Sequence, residues 1–271
     1  QTVISADSGH INVHETGAIE ATGHRILTVP EQNGKLTAEQ IARCCKEHWL
    51  DDNPEFAPQP KLVYISFPTE YGTLYSKEEL SAIRRVCDEN NLFLFADGAR
   101  LGYGLEAPGN DVTLADLAAC CDVFYIGGTK IGALLGEAVV IVNPKLQKDF
   151  RYFMKQKGAM LAKGRILGIQ FLALFEDGLY FKLSKHADEM AQIIRQACAE
   201  CGFEFLYDSP TNQQFPIMPD DLIKQLEELY AFSHTKRLDH RRSAIRICTS
   251  WATRREDVEQ LVADIHKYAG K

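Results

Sequence analysis

The chain has 271 residues, room for one large domain or a large domain with a small one. Its 45% hydrophobic and 10% aromatic content is enough to fill a packed core and excludes a disordered chain. Its 30 basic and 37 acidic residues give a formal charge of −7, with no long basic block, which argues against nucleic acid or an anionic membrane as the main partner. No apolar run reaches the roughly 18 residues of a membrane span.

The sequence opens at Gln1, with no signal-peptide pattern, directly on an apolar strand from Thr2 to Ala6. So abrupt a start leads us to expect further sequence upstream. Asp7-Ser8-Gly9-His10 reads as a turn and helix start, with helix continuing to about Ala21 and Gly23 ending it. A second strand is expected from Arg25 to Val29. Thr37 then caps a helix running to about Trp49. The prolines between Asp51 and Pro60 mark a loop, and Leu62 to Phe67 is a third strand stopped by Pro68. Ser76 and Glu79 form a capping box for a helix striped by Leu80, Ile83, Val86 and Cys87.

Strands from Leu92 and from Asp122 to Ile126 follow, joined by a short helical segment. Strand and helix alternate, as in an α/β domain with a mainly parallel sheet. The connection from Ile126 to Ala138 is too short for a helical crossover, so the strand from Ala138 to Val142 is expected to be antiparallel. Beyond Pro144 the pattern becomes α+β. It reads as a basic aromatic helix from Lys145 to Lys157, a buried helix from Lys163 to Phe175, and a long amphipathic helix from Tyr180 to Cys201. Short strands follow at Phe203–Tyr207 and Gln214–Met218, then a helix from Pro219 to Tyr230, a strand from Ser243 to Ser250 and a closing helix to Tyr268. We therefore expect a large domain over residues 1–150 and a connecting helix plus small domain over residues 151–271.

The 8 cysteines include a CxxC at Cys198 and Cys201. No second CxxC or suitably spaced histidine accompanies it, so free thiols are expected, with no metal, in a reducing, cytoplasmic setting. Two strand ends carry opposite charge. Asp97 closes an apolar strand, where a carboxylate is costly unless paired. Lys130 follows two glycines between apolar strands, where desolvation lowers an amine's pKa and makes it a better nucleophile. Taken singly, each has an ordinary reading, as a helix cap or salt bridge for Asp97 and a loop lysine for Lys130. An acid at one strand end and a lysine just past the next suit a cofactor with a protonated ring nitrogen and an aldehyde, such as pyridoxal phosphate.

Phe95-Ala96-Asp97-Gly98-Ala99-Arg100-Leu101, followed by strand, Gly127-Gly128-Thr129-Lys130 and hairpin, resembles the threonine aldolase and β-eliminating lyase group of pyridoxal-phosphate enzymes. Asp7-Ser8-Gly9-His10 with Glu15-Thr16-Gly17-Ala18, and Arg246 on the late strand, are similar to that group's segments in the same order. The resemblance runs from Thr2 to about Tyr268. It implies an aspartate-aminotransferase-like three-layer α/β/α large domain with a small α+β domain, and dimers or tetramers.

The same resemblance implies residue roles. Lys130 is the Schiff-base lysine, with Thr129 beside it in the cofactor site, and Asp97 binds the ring nitrogen. Ala99 packs beneath the ring and His10 above it. Arg100 and Arg246 hold the substrate carboxylate, whose geometry guanidinium matches. The loop after the third strand departs from the family pattern, because Thr69-Glu70-Tyr71-Gly72 puts Glu70 where a histidine is usual. The element that cradles the cofactor phosphate falls before Gln1 in the family. Near Gly158, Leu161 stands where an arginine is common, so Lys163 or Arg165 is the expected substitute.

The expected reaction is cleavage of Cα–Cβ in a small β-hydroxy-α-amino acid to glycine and an aldehyde, with His10 or Glu70 as base. The alternatives are β-elimination from a Cys, Ser or aromatic amino acid, and an incomplete, non-catalytic relative.

Overall fold

A computed structural model describes residues 1–270 of the chain. Strand β1 (Thr2–Ala6) is buried throughout, as a parallel strand covered on both faces must be. One turn of helix, α1 (His10–Val13), leads through an irregular stretch to β2 (Arg25–Val29). The expected long first helix does not form. Thr16 and Gly17 both take positive φ, at 52° and 76°, and no helix continues through consecutive left-handed residues.

Helices α2 (Ala38–Leu50) and α3 (Lys77–Glu89) flank β3 (Pro60–Ser66), and both begin with complete capping boxes, Thr37 with Gln40 and Ser76 with Glu79. After β4 (Phe93–Asp97) the crossover contains two short helices, α4 (Leu101–Glu106) and α5 (Leu114–Cys120), where the sequence pattern showed one segment. Ala107 to Asn110, with its proline and glycine, separates them. Strand β5 (Val123–Gly127) and strand β6 (Glu137–Ile141) complete a sheet of order β2-β1-β3-β4-β5-β6. All pairs are parallel except β5–β6, which is antiparallel as the short connection required. The carboxyl ends of β1, β3, β4 and β5 therefore share one edge, where open α/β sheets bind ligands.

The basic segment forms two helices, α6 (Pro144–Gln147) and α7 (Phe150–Gln156), broken at Asp149, whose φ is 61°. Helix α8 (Arg165–Phe175) was expected to be buried, but only Leu174 is. Apolar residues surround this helix while α9 (Leu179–Glu200) covers one side, so Ile166, Ile169 and Leu172 stay exposed. Beyond α9 lie β7 (Gln213–Gln214), β8 (Ile217–Pro219), α10 (Asp220–Glu227), β9 (Ser233–Arg237), β10 (Arg242–Cys248) and α11 (Arg255–Tyr268). Strand β10 pairs antiparallel with β7, β8 and β9. Phe203–Tyr207 forms only a single bridge, Phe205 with Pro216. Strand β9 escaped the sequence reading because all five of its residues are exposed, leaving no alternation to detect. All eight cysteines are free thiols.

Helix α9 serves two cores. Tyr180 and Ala187 join the core of the six-stranded sheet, while Met190, Ile194 and Cys198 join Met218, Leu226, Ile245 and Ile265 in the second. Asp188, 2% exposed, lies between these two sets. Neither of its carboxyl oxygens has a well-formed hydrogen bond, and the buried Asn212 Oδ1 also lacks a donor. Burial, with the charges of Glu106 and Glu189, pushes its pKa up to about 9 against the pull of the Asn212 backbone.

Between the ordinary carboxylate range and about 9 the folded protein thus holds a proton that the unfolded chain releases. Stability falls with rising pH across that window. Asp188→Asn should remove that slope in chemical denaturation and raise stability more at pH 8 than at pH 5, because folding of the variant no longer requires uptake of a proton.

Candidate active site

Asp97 sits at the last position of β4, paired in register with Ser66 of β3, and is 9% exposed. Its carboxylate is held from three directions. Oδ1 accepts the Ala99 backbone N–H at 2.9 Å and the Tyr125 hydroxyl, and Oδ2 accepts the Tyr64 hydroxyl. Tyr64 from β3 and Tyr125 from β5 flank Phe95 of β4, with ring centroids 5.8 and 6.2 Å from it. Burial and the Asp97 charge push both phenols' pKa values well above the ordinary range, so they remain protonated donors. A carboxylate has about four acceptor sites, so one on Oδ2 remains for an incoming N–H.

Lys130 lies on a single 3-10 turn (Thr129–Ile131) between β5 and β6. The turn is pinned by Glu137 of β6, whose carboxylate accepts the Gly128 N–H at 2.6 Å and the Thr129 hydroxyl at 3.0 Å. A Cβ at Gly127 would stand 2.4 Å from the Ala99 carbonyl oxygen, and one at Gly98 only 1.8 Å from the Tyr125 carbonyl oxygen. Glycines are therefore needed for the lysine loop to close on the Asp97–Arg100 turn. The Lys130 pKa is lowered, first by desolvation and then by the neighbouring Arg100 charge, with Asp97, Glu137 and Glu70 opposing.

Glu70, on the loop after β3, accepts the Ser66 hydroxyl at 3.0 Å. Its pKa is raised by burial and by the Asp97 charge, against the pull of His10 and Arg100. His10, the first residue of α1, pairs with Glu15 at 2.6 Å and lies tilted against the His14 ring at 4.9 Å. Arg246, on β10, contributes from the second sheet. Its buried Nε has no partner, and an Nη reaches only Ser233 Oγ at 3.5 Å. A cleft of about 600 Å³ lined by Glu70, Tyr71, His14, Tyr207 and Arg246 opens beside the strand ends. Its wall includes the stacked pair Tyr71–Tyr207, 3.7 Å between ring centroids. A cavity of about 670 Å³ between α10 and β9 lies apart from these groups.

Asp97, Lys130, Glu70, His10 and Arg100 are thus near enough to perturb one another, and Glu70 shares the cleft with Arg246. Lys130 and Asp97 do not line that cleft themselves. Thr129, expected to face a cofactor, gives its hydroxyl to Glu137. Ala99 contributes its backbone N–H to Asp97. Sequence reasoning passed over Tyr64, Tyr125 and Glu137. Spacing two residues before Ser66 puts Tyr64 on the same face of β3, but nothing in that spacing marks it as a donor to Asp97.

Sheet order, the antiparallel edge hairpin and the acid and lysine at neighbouring strand ends define an α/β fold of the aspartate-aminotransferase type. An aspartate aminotransferase of Thermus thermophilus superposes over 99% of this chain and 70% of its own with a TM-score of 0.68 at 14% identity, a likeness of fold. The beta-eliminating lyase family model matches residues 1–220, and the chain belongs to that family. It is 32% identical to a low specificity L-threonine aldolase of Pseudomonas sp. (strain NCIMB 10558), over 97% of this chain and 75% of the relative. The Leishmania major threonine aldolase structure matches at TM-score 0.95 and 42% identity, covering 99% of this chain and 77% of its own.

Gly98→Ala would force a methyl group into the Tyr125 carbonyl. We expect a stability loss of about 3 kcal/mol, at the upper end for overpacking. The check is thermal unfolding, where about 2–4 °C accompanies each kcal/mol in a chain of this size.

Proposed function

We infer that this protein is a pyridoxal-phosphate-dependent carbon–carbon lyase that cleaves small β-hydroxy-α-amino acids of the threonine type to glycine and an aldehyde. Membership of the family and similarity to threonine aldolases support the reaction class. The observation that carries the site assignment is the juxtaposition, at one sheet edge, of the Lys130 amine, the clamped Asp97 carboxylate and a second buried carboxylate, Glu70.

The groups present suit the cofactor, because Asp97 keeps a free acceptor for a ring N–H and Lys130 is a desolvated amine within its field. When bound, pyridoxal phosphate supplies an aldehyde for the lysine and a ring that takes up the electron pair released at Cα. Asp97, fixed by two phenols and an N–H, holds the ring nitrogen protonated. Arg246, its Nε without a partner, takes the substrate carboxylate together with Arg100, and this grip sets the orientation of the Cα–Cβ bond. Glu70 removes the β-hydroxyl proton. Its raised pKa makes it a stronger base than an ordinary glutamate, and His10 beside it steadies the ionised form. The Lys130 amine then carries a proton back to Cα of the product.

We read residues 1–150 as the cofactor-binding unit and 151–271 as the connecting helix and small unit. The uncovered apolar side of α8 is the surface through which we expect copies of the chain to pair as dimers or tetramers.

Threonine incubated with the protein and pyridoxal phosphate should yield glycine and acetaldehyde, and Lys130→Ala should abolish both. Ammonia and a keto acid in their place would assign β-elimination. The acid limb of kcat should lie above the ordinary glutamate range of about 4.3, rising with pH as Glu70 ionises. Glu70→Gln should lower kcat by about 10²–10⁴-fold and flatten that limb; unchanged glycine release would place the base elsewhere. Arg246→Ala should raise KM for threonine by about tenfold or more, since a charge-assisted pair contributes roughly 1.5–3 kcal/mol.

A further inference from the structure

The Lys130 turn is held by more than Glu137. Two buried phenols reach the backbone around it. The Tyr180 hydroxyl accepts the Gly102 N–H and donates to the Gly127 carbonyl, both at 3.1 Å. The Tyr103 hydroxyl donates to the carbonyl of Lys130 itself. Tyr103 is 1% exposed, and its depth is set by the glycines on either side of it. A Cβ at Gly102 would meet Ser184 Oγ of α9 at 2.1 Å, and one at Gly104 would meet Pro68 Cδ at 2.9 Å. Helix α4 therefore sits close against α9 and against the loop that carries Glu70, with Tyr103 fixed between.

The other side of the Lys130 turn faces the second sheet. The Trp251 indole lies where a Cβ at Gly132, two residues past Lys130, would be 3.5 Å from it. Trp251 occupies the second position of the Ser250–Thr253 turn, closed by the Thr253 N–H to the Ser250 carbonyl at 3.0 Å. That turn directly follows β10, the strand that carries Arg246.

We propose that the Tyr103 hydroxyl is a positioning group that holds the backbone of Lys130 in place, on the turn that also packs against Trp251 after the carboxylate-binding strand. The proposal rests on the reading of Lys130 as the cofactor lysine. A hydroxyl on the Lys130 carbonyl keeps the lysine turn seated between helix α4 and the turn that follows the Arg246 strand. Without it the 3-10 turn has Glu137 and Tyr180 on its β5 side but loses its donor at the lysine itself.

Tyr103→Phe keeps the ring and removes only the hydroxyl. Amide hydrogen exchange over residues 128–133 should quicken about tenfold in this variant, measured by mass spectrometry without added ligand, while the β1 and β3 amides stay unchanged. Trapping of pyridoxal phosphate on Lys130 by cyanoborohydride, followed by intact mass, should slow about tenfold. With threonine, kcat should fall about tenfold and KM stay within twofold. Exchange and trapping equal to the parent protein would overturn the proposal, whatever the activity.

Should the variant not fold, Tyr103→Met, which also lacks the hydroxyl, is read in the same way: faster exchange over residues 128–133 than in the parent protein supports the link, and equal exchange overturns it. If Lys130→Ala retained activity, the functional reading would fail while the exchange result stood.

Discussion

A carboxylate at the end of a buried strand is the constraint on which the rest of this architecture turns. Moving an ionised Asp97 out of water is costly unless donors replace the lost hydration. The donors come from β3, from β5 and from the turn that follows β4, so these three strands must keep their register for the charge to be tolerated. Tyr64, in register with Phe95, and Tyr125 reach Asp97 only because the pleat turns both toward its face of the sheet. A slip of one residue would turn both phenols to the opposite face and leave the charge bare. The sheet is thus organised as much by one polar cluster as by its apolar faces.

The same charge shapes the chemistry around it. Glu70 lies within its field and is pushed toward the protonated form, while Lys130 is drawn the other way by desolvation and Arg100. Glu70 and Lys130 are thereby shifted in opposite directions by one environment, while Asp97 is fixed by its hydrogen-bond donors. Environments that separate neighbouring titratable groups in this way suit them to different acid–base roles. The Glu137 clamp makes the arrangement possible, because it fixes the Lys130 turn from the antiparallel strand that closes the sheet.

Much of the large sheet was legible from residue pattern. Parallel strands buried on both faces leave continuous apolar runs, and capping boxes at Thr37 and Ser76 mark helix starts with local chemistry alone. The antiparallel edge followed from the length of one connection. Elements governed by other forces were misread. The first helix was overextended because the left-handed pair Thr16 and Gly17 interrupts a sequence of adequate propensity. Helix α8 was judged buried by composition, although burial depends on how many sides find a neighbour. Strand β9 has no buried face at all. Of the candidate site, Lys130, Asp97, Glu70, His10 and the arginines were singled out because spacing and resemblance marked them. Tyr64, Tyr125 and Tyr103 were not, since a tyrosine that donates one hydrogen bond in a core looks in sequence like any other buried aromatic.

Helix α9 has 22 residues, a rod of about 33 Å at 1.5 Å per residue, and each core grips a different half of it. Neither core can melt without stripping one side of the rod, and a half-stripped rod would expose apolar surface to water with little gain in chain entropy. Loss of order in one half is therefore transmitted to the other as a mechanical load along a shared spar. The two sheets stand or fall as one cooperative unit, although hardly any of their strands touch.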